Sequence, residues 1–227
     1  MSDKKYALSV QNVRFGWHKQ QSPILSIDAW QVEQGRRIFL HGASGSGKST
    51  LLSLISGILL PARGRIEVLG HDIVRLGSMA RDRFRARHIG VIFQQFNLLP
   101  YLSVEANIEL AVEFGKRRDI PKTAIAELTD RLGLDPSLLA RKASQLSVGQ
   151  QQRVAVARAL INQPELIIAD EPTSALDSDA RDEFMRLLLD LSACHRTTVI
   201  FVSHDQSLGA CFDERLSIRE LTQSGGH

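Results

Sequence analysis

The sequence predicts an α/β protein with a helical insertion. Two short, continuously apolar runs, Leu166–Ala169 and Thr198–Val202, indicate strands that are covered on both faces, as in a parallel sheet. The segment between them, Ala180–Leu191, has apolar residues at helical spacing. Residues 95–145 are rich in Leu, Ala, Glu and Arg and are interrupted by prolines, which predicts several short helices. We therefore expect a sheet-based core with a helical insertion at about residues 95–150.

The first part of the chain favours β-strands with one early helix. Alternating apolar residues in Leu8–Val13 predict a strand, and Ile24–Val32 and Gly64–Leu69 predict further strands between turn residues. Arg37–His41 is expected to be a short buried strand. A helix is expected after it, because the apolar residues from Leu51 to Leu59 recur at helical spacing.

Length and composition indicate one globular domain. A chain of 227 residues can bury a good core, so residues 1–227 are treated as a single domain. The net charge of +3 is too small to indicate a nucleic-acid partner. Cys194 and Cys211 show neither metal-ligand spacing nor a disulfide framework, which suits a reducing cytoplasm. The longest apolar run, near Leu51–Leu60, is too short to span a bilayer, so a role at a membrane would require another chain to cross it.

A glycine-rich segment between the predicted strand and helix indicates phosphate binding. Gly42–Ser49 matches the pattern G-x-x-x-x-G-K-[ST] at every fixed position. The glycines allow backbone N–H groups to face a polyphosphate, and the start of the helix adds positive potential. Lys48 would reach the β- and γ-phosphates, and the Ser49 hydroxyl would hold Mg²⁺. The alternative is a glycine turn with an incidental lysine. The expected nucleotide contacts are Gly42, Ala43, Ser44, Gly45, Ser46, Gly47, Lys48, Ser49 and Thr50.

Two further segments carry polar groups where a phosphate site needs them. Asp170 and Glu171 follow an apolar strand, where Asp170 can hold Mg²⁺ and Glu171 can polarise an attacking water. The alternative is a solvated acidic turn. Ser147 and Gly149 precede the apolar-periodic helix Val154–Ile161 and would offer a hydroxyl and free N–H groups to a second anion. The alternative for Ser147 is an ordinary N-cap.

In their order along the chain, these motifs resemble those of ATP-binding cassette (ABC) ATPases, from about Val10 to about Leu216. Ile89–Pro100 is similar to the branch of lipoprotein-releasing, macrolide-exporting and cell-division ATPases. The resemblance implies a P-loop NTPase (RecA-like) core, an N-terminal antiparallel β subdomain and an α-helical subdomain at about residues 95–150. The residues that carry it are Gly42–Ser49, Leu146–Gln150, Asp170, Glu171, Ser174–Asp177 and His204.

The resemblance also implies individual roles in binding ATP and Mg²⁺. Trp17 would stack on adenine, with Phe15 as the nearest competitor and a plain sheet-edge aromatic as the alternative. Gln94 would contact Mg²⁺ and the attacking water, and would sense a membrane subunit; the alternative is a solvated loop amide. His204 would contact the γ-phosphate, unless it is a structural histidine. Asp177 matches an aspartate that communicates across a dimer, and it can also cap the next helix.

One position departs from the family pattern. The usual LSGGQ element is Leu146–Gln150 here, with Val148 in place of the first glycine, while Ser147, Gly149 and Gln150 are kept for nucleotide contact. A β-branched residue does not easily take a positive φ, so ordinary backbone is expected at Val148. We expect activity to survive, with altered nucleotide affinity in the closed dimer.

The resemblance implies that the site is completed between two chains. The Lys48 side of one copy and the Ser147 side of a second copy, arranged head to tail, would enclose one ATP. The other expected partners are integral membrane permease subunits, recognised near Gln94–Leu110, with no direct nucleic-acid contact. The expected location is peripheral, at the cytoplasmic face of the inner membrane.

Two other functions remain as alternatives. A soluble ABC ATPase acting on nucleic acid or the ribosome is the runner-up, but the long coiled-coil insertions or tandem cassettes of such proteins are missing from the sequence. A regulator with little turnover is disfavoured because Glu171 and His204 are both present. Arg81–His88 has an arginine at every second residue, which spreads charge around a helix. A solvated helix near the membrane partner is therefore favoured there over a lipid or RNA patch.

Overall fold

The computed structural model describes residues 5–17, 23–121, 123–174 and 176–223. Within these ranges the chain forms nine strands and seven α-helices. The strands are β1 Tyr6–Phe15, β2 Leu25–Glu33, β3 Arg37–His41, β4 Arg63–Val68, β5 His71–Asp72, β6 Ile89–Ile92, β7 Leu166–Asp170, β8 Thr198–Val202 and β9 Glu214–Ser217. The helices are α1 Lys48–Ile55, α2 Ser78–His88, α3 Val104–Gly115, α4 Ala124–Arg131, α5 Val148–Leu160, α6 Ser178–Cys194 and α7 Ile218–Gln223.

The strands form two sheets, which confirms the predicted α/β fold with an N-terminal antiparallel sheet. β2, β1, β4 and β5 form the antiparallel sheet in that order. β6, β7, β8, β3 and β9 form the second sheet, in which all pairs are parallel. Short helices follow β6, as the proline-interrupted segment predicts.

The parallel sheet is buried on both faces, which explains its continuously apolar strands. In β8, Ile200 and Val202 join an apolar cluster with α1 and the antiparallel sheet. Val199 and Phe201, which point the other way, join a second cluster with α3 to α6. Every residue of β8 is therefore buried.

The order of the parallel strands brings three strand ends together. β8 lies between β7 and β3, and Val202 is in register with both Asp170 and Leu40. Because parallel strands end at the same edge of a sheet, the segments that follow β3, β7 and β8 meet there. These segments contain the glycine-rich turn, Glu171 and His204.

The helix after the glycine-rich turn is shorter than its apolar spacing predicts. α1 ends at Ile55, and Gly57 has a φ of 72°. The Gly57 N–H donates to the Leu54 carbonyl and the Ile58 N–H to the Ser53 carbonyl, a pattern that closes a helix C-terminus. The prediction of helix as far as Leu59 is therefore wrong, because a left-handed glycine turns the chain first.

Several boundaries differ from the sequence predictions, and four elements were not predicted. α5 begins at Val148, six residues before the predicted Val154, and α6 extends beyond the predicted segment at both ends. The elements that the sequence analysis did not predict are β5, β6, β9 and α7. The arginine-rich segment forms α2, a helix without a buried residue, as a solvated helix should. No helix in the described part of the chain combines the length and the apolar character that crossing a bilayer demands.

Gly90 on β6 provides a test of how tightly α5 packs on the sheet. A Cβ added at Gly90 would collide with the Ala159 carbonyl oxygen of α5 and lie 3.1 Å from Pro164 Cγ. We expect Gly90→Ala to lower the free energy of unfolding by roughly 1–3 kcal/mol, the usual cost of overpacking. Urea denaturation followed by tryptophan fluorescence measures it.

Gly77→Ala is the matched control. Gly77 has a φ of −61°, and a Cβ there meets no atom within 4 Å. Its unfolding free energy should therefore stay within about 1 kcal/mol of wild type. Equal losses in the two variants would contradict the packing argument.

Candidate active site

The glycine-rich turn joins β3 to α1 in a conformation that needs glycine at two positions. Gly45 has a φ of 74° and Gly47 a φ of 93°, in the left-handed region that side chains disfavour. Gly47 is also the N-cap of α1, and no side chain caps the helix start. The first N–H groups of α1 are thus left for a ligand, as an anion site requires.

Lys48 places a buried cation over the turn. Its side chain is only 7% exposed, and Nζ donates to the Gly42 carbonyl at 2.9 Å and the Ala43 carbonyl at 3.0 Å. Nζ also lies 3.6 Å from Glu171 Oε1. The ammonium group is therefore held at the mouth of the turn, where a phosphate would meet it.

Ser46 carries an unpaired polar atom in the same turn. Its Oγ is buried, and no atom of the described residues forms a hydrogen bond with it. A buried hydroxyl without a partner is costly and uncommon. A phosphate oxygen is the kind of acceptor that would satisfy it, so the turn fits a polyphosphate ligand.

Asp170 and Ser49 form an oxygen pair that fits Mg²⁺. Burial raises the pKa of Asp170, while a hydrogen bond from the Ser49 side chain acts in the opposite direction. The nearby negative charge of Glu171 raises that pKa further. A carboxylate and a hydroxyl are hard oxygen ligands, and a buried carboxylate is stabilised by a cation.

Glu171 lies between Lys48 and His204. It follows β7 directly, and its N–H donates to the Val202 carbonyl of β8 at 2.9 Å. Its Oε2 is 3.2 Å from His204 Nδ1, while Oε1 faces Lys48 Nζ. Its backbone has a φ of 45°, an uncommon value for a residue with a side chain. The structure thus brings three of the four predicted catalytic side chains, Lys48, Glu171 and His204, into one cluster.

Gln94 approaches this edge from the neighbouring strand β6. It is exposed, and its Nε2 lies 3.5 Å from Ser174 Oγ, which is a long contact for a hydrogen bond. Ser174 follows Glu171 by three residues. Ala175, the next residue of the motif that Ser174 begins, lies outside the described residues.

The Ser147 segment forms the N-terminus of α5. Ser147 Oγ accepts from the Gln150 N–H at 3.3 Å, and Gln150 Oε1 accepts from the Ser147 N–H at 3.0 Å. This is a capping box, so the N-cap interpretation of Ser147 holds within one chain. Val148 is the first helical residue and is 51% exposed, with no positive φ, as expected. Among the described residues, no hydrogen bond joins this segment to the Lys48 turn.

Two other predicted contact residues lie at the ends of elements. Asp177 caps α6, accepting from the Ala180 N–H at 2.9 Å, as its second predicted role required. Trp17 follows β1 and is 61% exposed, with its ring edge-on to Phe15 at a centroid distance of 5.1 Å. Phe15 itself is buried in the core. Of the two aromatic rings, Trp17 therefore has a face open to a base.

The segment after Gln94 is held by two residues that the sequence analysis missed. Arg158 of α5 donates to the Asn97 carbonyl at 2.6 Å and the Phe96 carbonyl at 2.5 Å. Asn107 of α3 is fully buried and bonds both the N–H and the carbonyl of Leu99. An asparagine on the apolar side of a predicted helix is the signal that could have identified the second of them.

Comparison with known proteins gives a consistent family relationship. A family model described as "ABC transporter" matches residues 25–174. The lipoprotein-releasing system ATP-binding protein LolD of Pseudomonas syringae pv. tomato is 38% identical, over 96% of this chain and 96% of its own. The ABC transporter ATP-binding protein YtrE of Bacillus subtilis is 35% identical over 92% of this chain and 90% of its own.

A longer relative and a solved structure extend the comparison. The macrolide export ATP-binding/permease protein MacB 2 of Aeromonas hydrophila is 38% identical over 97% of this chain but only 34% of its own length. Among solved structures, the dimeric post-hydrolysis state of the ATP-binding cassette MJ0796, bound to ADP and Pi, has a TM-score of 0.83. It is 32% identical and covers 92% of this chain and 93% of its own.

The raised pKa of Asp170 predicts a pH-dependent gain of stability on Asp170→Asn in nucleotide-free protein. Since the folded-state pKa lies above the ordinary value of 3.8, the folded state binds the proton more tightly than the unfolded state. Stability is therefore lost as pH rises from about 4 through the raised pKa. At pH 7 the variant should unfold at a higher urea concentration than wild type. At pH 3.5 the difference should shrink, because wild-type Asp170 is then largely protonated.

Asp179→Asn is the control, since Asp179 lies in the exposed first turn of α6. A gain for Asp170→Asn that is equal at both pH values would count against the burial argument.

Proposed function

The chain belongs to the ABC transporter family, and on that premise we propose how its residues bind and hydrolyse ATP to drive a membrane partner. The observation that carries the proposal is the cluster in which Glu171 lies between Lys48 and His204 at the edge of the parallel sheet. Each of these side chains follows a different strand, and all three surround the mouth of the phosphate-binding turn.

In the proposed site, the chain binds the triphosphate through backbone and side-chain donors. The turn from Gly42 to Gly47 and the start of α1 supply N–H groups, and Lys48 supplies a cation for the β- and γ-phosphates. Trp17 would stack on the adenine. Thr50, in the first turn of α1, would be a further phosphate contact.

Ser49, Asp170 and Gln94 are the residues that would hold Mg²⁺. When bound, Mg²⁺ neutralises developing charge on the phosphates. Glu171 then orients and deprotonates the attacking water, and His204, within hydrogen-bond distance of Glu171, contacts the γ-phosphate. The 3.2 Å contact keeps the two side chains on the same side of the turn.

A second copy completes the site. The capped start of α5, with Ser147 and Gly149, forms no hydrogen bond to the Lys48 turn within the described chain. We therefore assign it to the ATP of the other protomer in a head-to-tail pair, with Asp177 at the same interface. Enclosing ATP between two copies excludes water and aims the N–H groups of α5 at the γ-phosphate.

The membrane partner is proposed to bind a groove beside Gln94. A cavity of about 350 Å³ is lined by apolar residues from β6, the segment after it and α3. Phe114 projects into it and is 68% exposed, which is unusual for a phenylalanine without a partner. The lining residues used here are Phe93, Leu99, Leu110, Phe114 and Arg158.

The groove and the relatives together suggest where the protein works. Arg158 lines the groove and also holds the Phe96 and Asn97 carbonyls, so a bound partner would act on the segment next to Gln94. We propose that the pair acts peripherally, at the cytoplasmic face of the inner membrane. There it would serve an export or lipoprotein-release type of system.

Glu171→Gln tests the catalytic assignment. Without a carboxylate to accept the water proton, turnover should fall at least about 100-fold, whereas binding of ATP to the single chain should be unchanged. The ATP-bound pair should then accumulate, because hydrolysis no longer separates the copies. Steady-state phosphate release and size-exclusion chromatography with MgATP measure the two effects.

Glu127→Gln, which changes an exposed carboxylate on α4, is the control and should behave as wild type. If Glu171→Gln retained wild-type turnover, Glu171 could not be the general base.

Phe114→Ser tests the docking groove. Loss of a large apolar contact should reduce recovery of the membrane partner from detergent-solubilised membranes by about tenfold, with ATP turnover of the isolated chain unchanged. The captured protein is identified by mass spectrometry and must be a polytopic membrane protein.

Ile24→Ser, at an exposed position that does not line the groove, is the control. Equal recovery with Phe114→Ser and wild type would exclude the groove as the main docking surface.

A further inference from the structure

Gln152 is a buried amide that joins α5 to the turn after β7. Its side chain is 3% exposed, and Nε2 donates to the Pro172 carbonyl at 2.8 Å. Pro172 is itself buried and directly follows Glu171. The bond therefore connects the helix that Ser147 caps with the carbonyl of the residue that follows the proposed general base.

The backbone at Glu171 requires support from its surroundings. Its φ of 45° lies in the left-handed region, which is unfavourable for a residue with a Cβ. The residue also precedes a proline, which restricts its backbone further. Such a conformation persists only where neighbouring groups hold it.

Three hydrogen bonds hold this conformation. The Glu171 N–H donates to the Val202 carbonyl at 2.9 Å, and the Glu171 carbonyl accepts from the Ser174 N–H at 3.3 Å. The first belongs to the sheet and the second to the turn itself. Of these three bonds, the third, from Gln152 to the Pro172 carbonyl, is the one donated by a side chain, and that side chain belongs to α5.

α5 connects this bond to the rest of the proposed composite site. Gln152 is five residues after Ser147 on the same helix, so a displacement of the helix start displaces its amide as well. The neighbouring Arg153 bonds Glu183 of α6 at 2.9 Å and the Leu132 carbonyl at 2.8 Å. α5 is thus bonded to α6 and to the end of α4 next to the Gln152 contact.

We propose that Gln152 is a positioning residue for Glu171: it aligns the general base when α5 has the position required for hydrolysis. This inference rests on the proposed role of Glu171 and adds a link within one chain. Because Ser147 serves one ATP of the head-to-tail pair and Glu171 serves the other, the bond couples the two ATP sites of the pair.

The test compares Gln152→Met with Gln151→Met. Methionine is nearly isosteric with glutamine but cannot donate a hydrogen bond. Gln151 Nε2 donates to the Leu146 carbonyl, next to its own helix, so its replacement leaves the Glu171 turn untouched. We expect kcat to fall about tenfold in Gln152→Met, the scale of one buried hydrogen bond. KM for ATP should stay within about twofold, and Gln151→Met should retain both values.

Gln152→Glu supplies a second variant of the same shape, which also serves if Gln152→Met does not fold. A carboxylate cannot donate to the Pro172 carbonyl, whereas a protonated carboxyl can. Its kcat relative to wild type should therefore rise as pH falls from 8 to 6, since burial favours the neutral acid. Gln151→Glu should show no such recovery.

Glu171→Gln, measured in parallel, separates the two assignments. If Glu171→Gln abolishes turnover but Gln152→Met keeps wild-type kcat, the positioning role is wrong and the base assignment stands. If Glu171→Gln keeps turnover, the base assignment is wrong, and the positioning role that rests on it is wrong as well. A rise in KM with constant kcat in Gln152→Met would also overturn the positioning role, because it would indicate a change in ground-state binding alone.

Discussion

The pairing of β3, β8 and β7 is the constraint on which the site depends. Lys48, Glu171 and His204 are far apart in sequence and meet only because their strands end at the same edge. Burial on both faces fixes the register, since a slip of one residue would exchange the side chains that face the two apolar clusters. The hydrophobic packing that stabilises the sheet therefore also sets the distances between the catalytic groups.

Features encoded by local spacing were predictable, and features set by distant contacts were not. The turn at Gly42–Ser49, most of the strands and the Ser147 cap of α5 follow from short patterns whose chemistry is local. The apolar spacing after Lys48 predicted too long a helix, because Gly57 ends α1 and places Ile58 beside the groove. β9 has the short sequence ERLS, without apolar alternation, and is a strand because it pairs with β3. Its formation depends on a neighbour that no local pattern reveals.

The contacts made by side chains outside the catalytic cluster, which fix the backbone around it, were the least predictable from the sequence. Arg158, Asn107 and Gln152 all bind backbone carbonyl or N–H groups. Every non-proline residue offers the same backbone groups, so the sequence does not show which residue is the partner of such a side chain. A polar residue on a buried helix face signals that a partner exists, but only the fold shows which segment supplies it.

Three features at the sheet edge cost the nucleotide-free chain stability. Asp170 is a half-buried acid with a raised pKa, the Ser46 hydroxyl has no partner among the described residues, and Glu171 has a left-handed backbone. A cation and a phosphate oxygen would relieve the first two, so their cost in the free chain reappears as binding free energy for ATP and Mg²⁺. The left-handed backbone of Glu171 is not relieved by either ligand, so contacts within the protein must stabilise it. Substitutions that stabilise the free chain at Asp170 or Ser46 should therefore weaken nucleotide binding, whereas loss of a bond that holds Glu171 should weaken turnover instead.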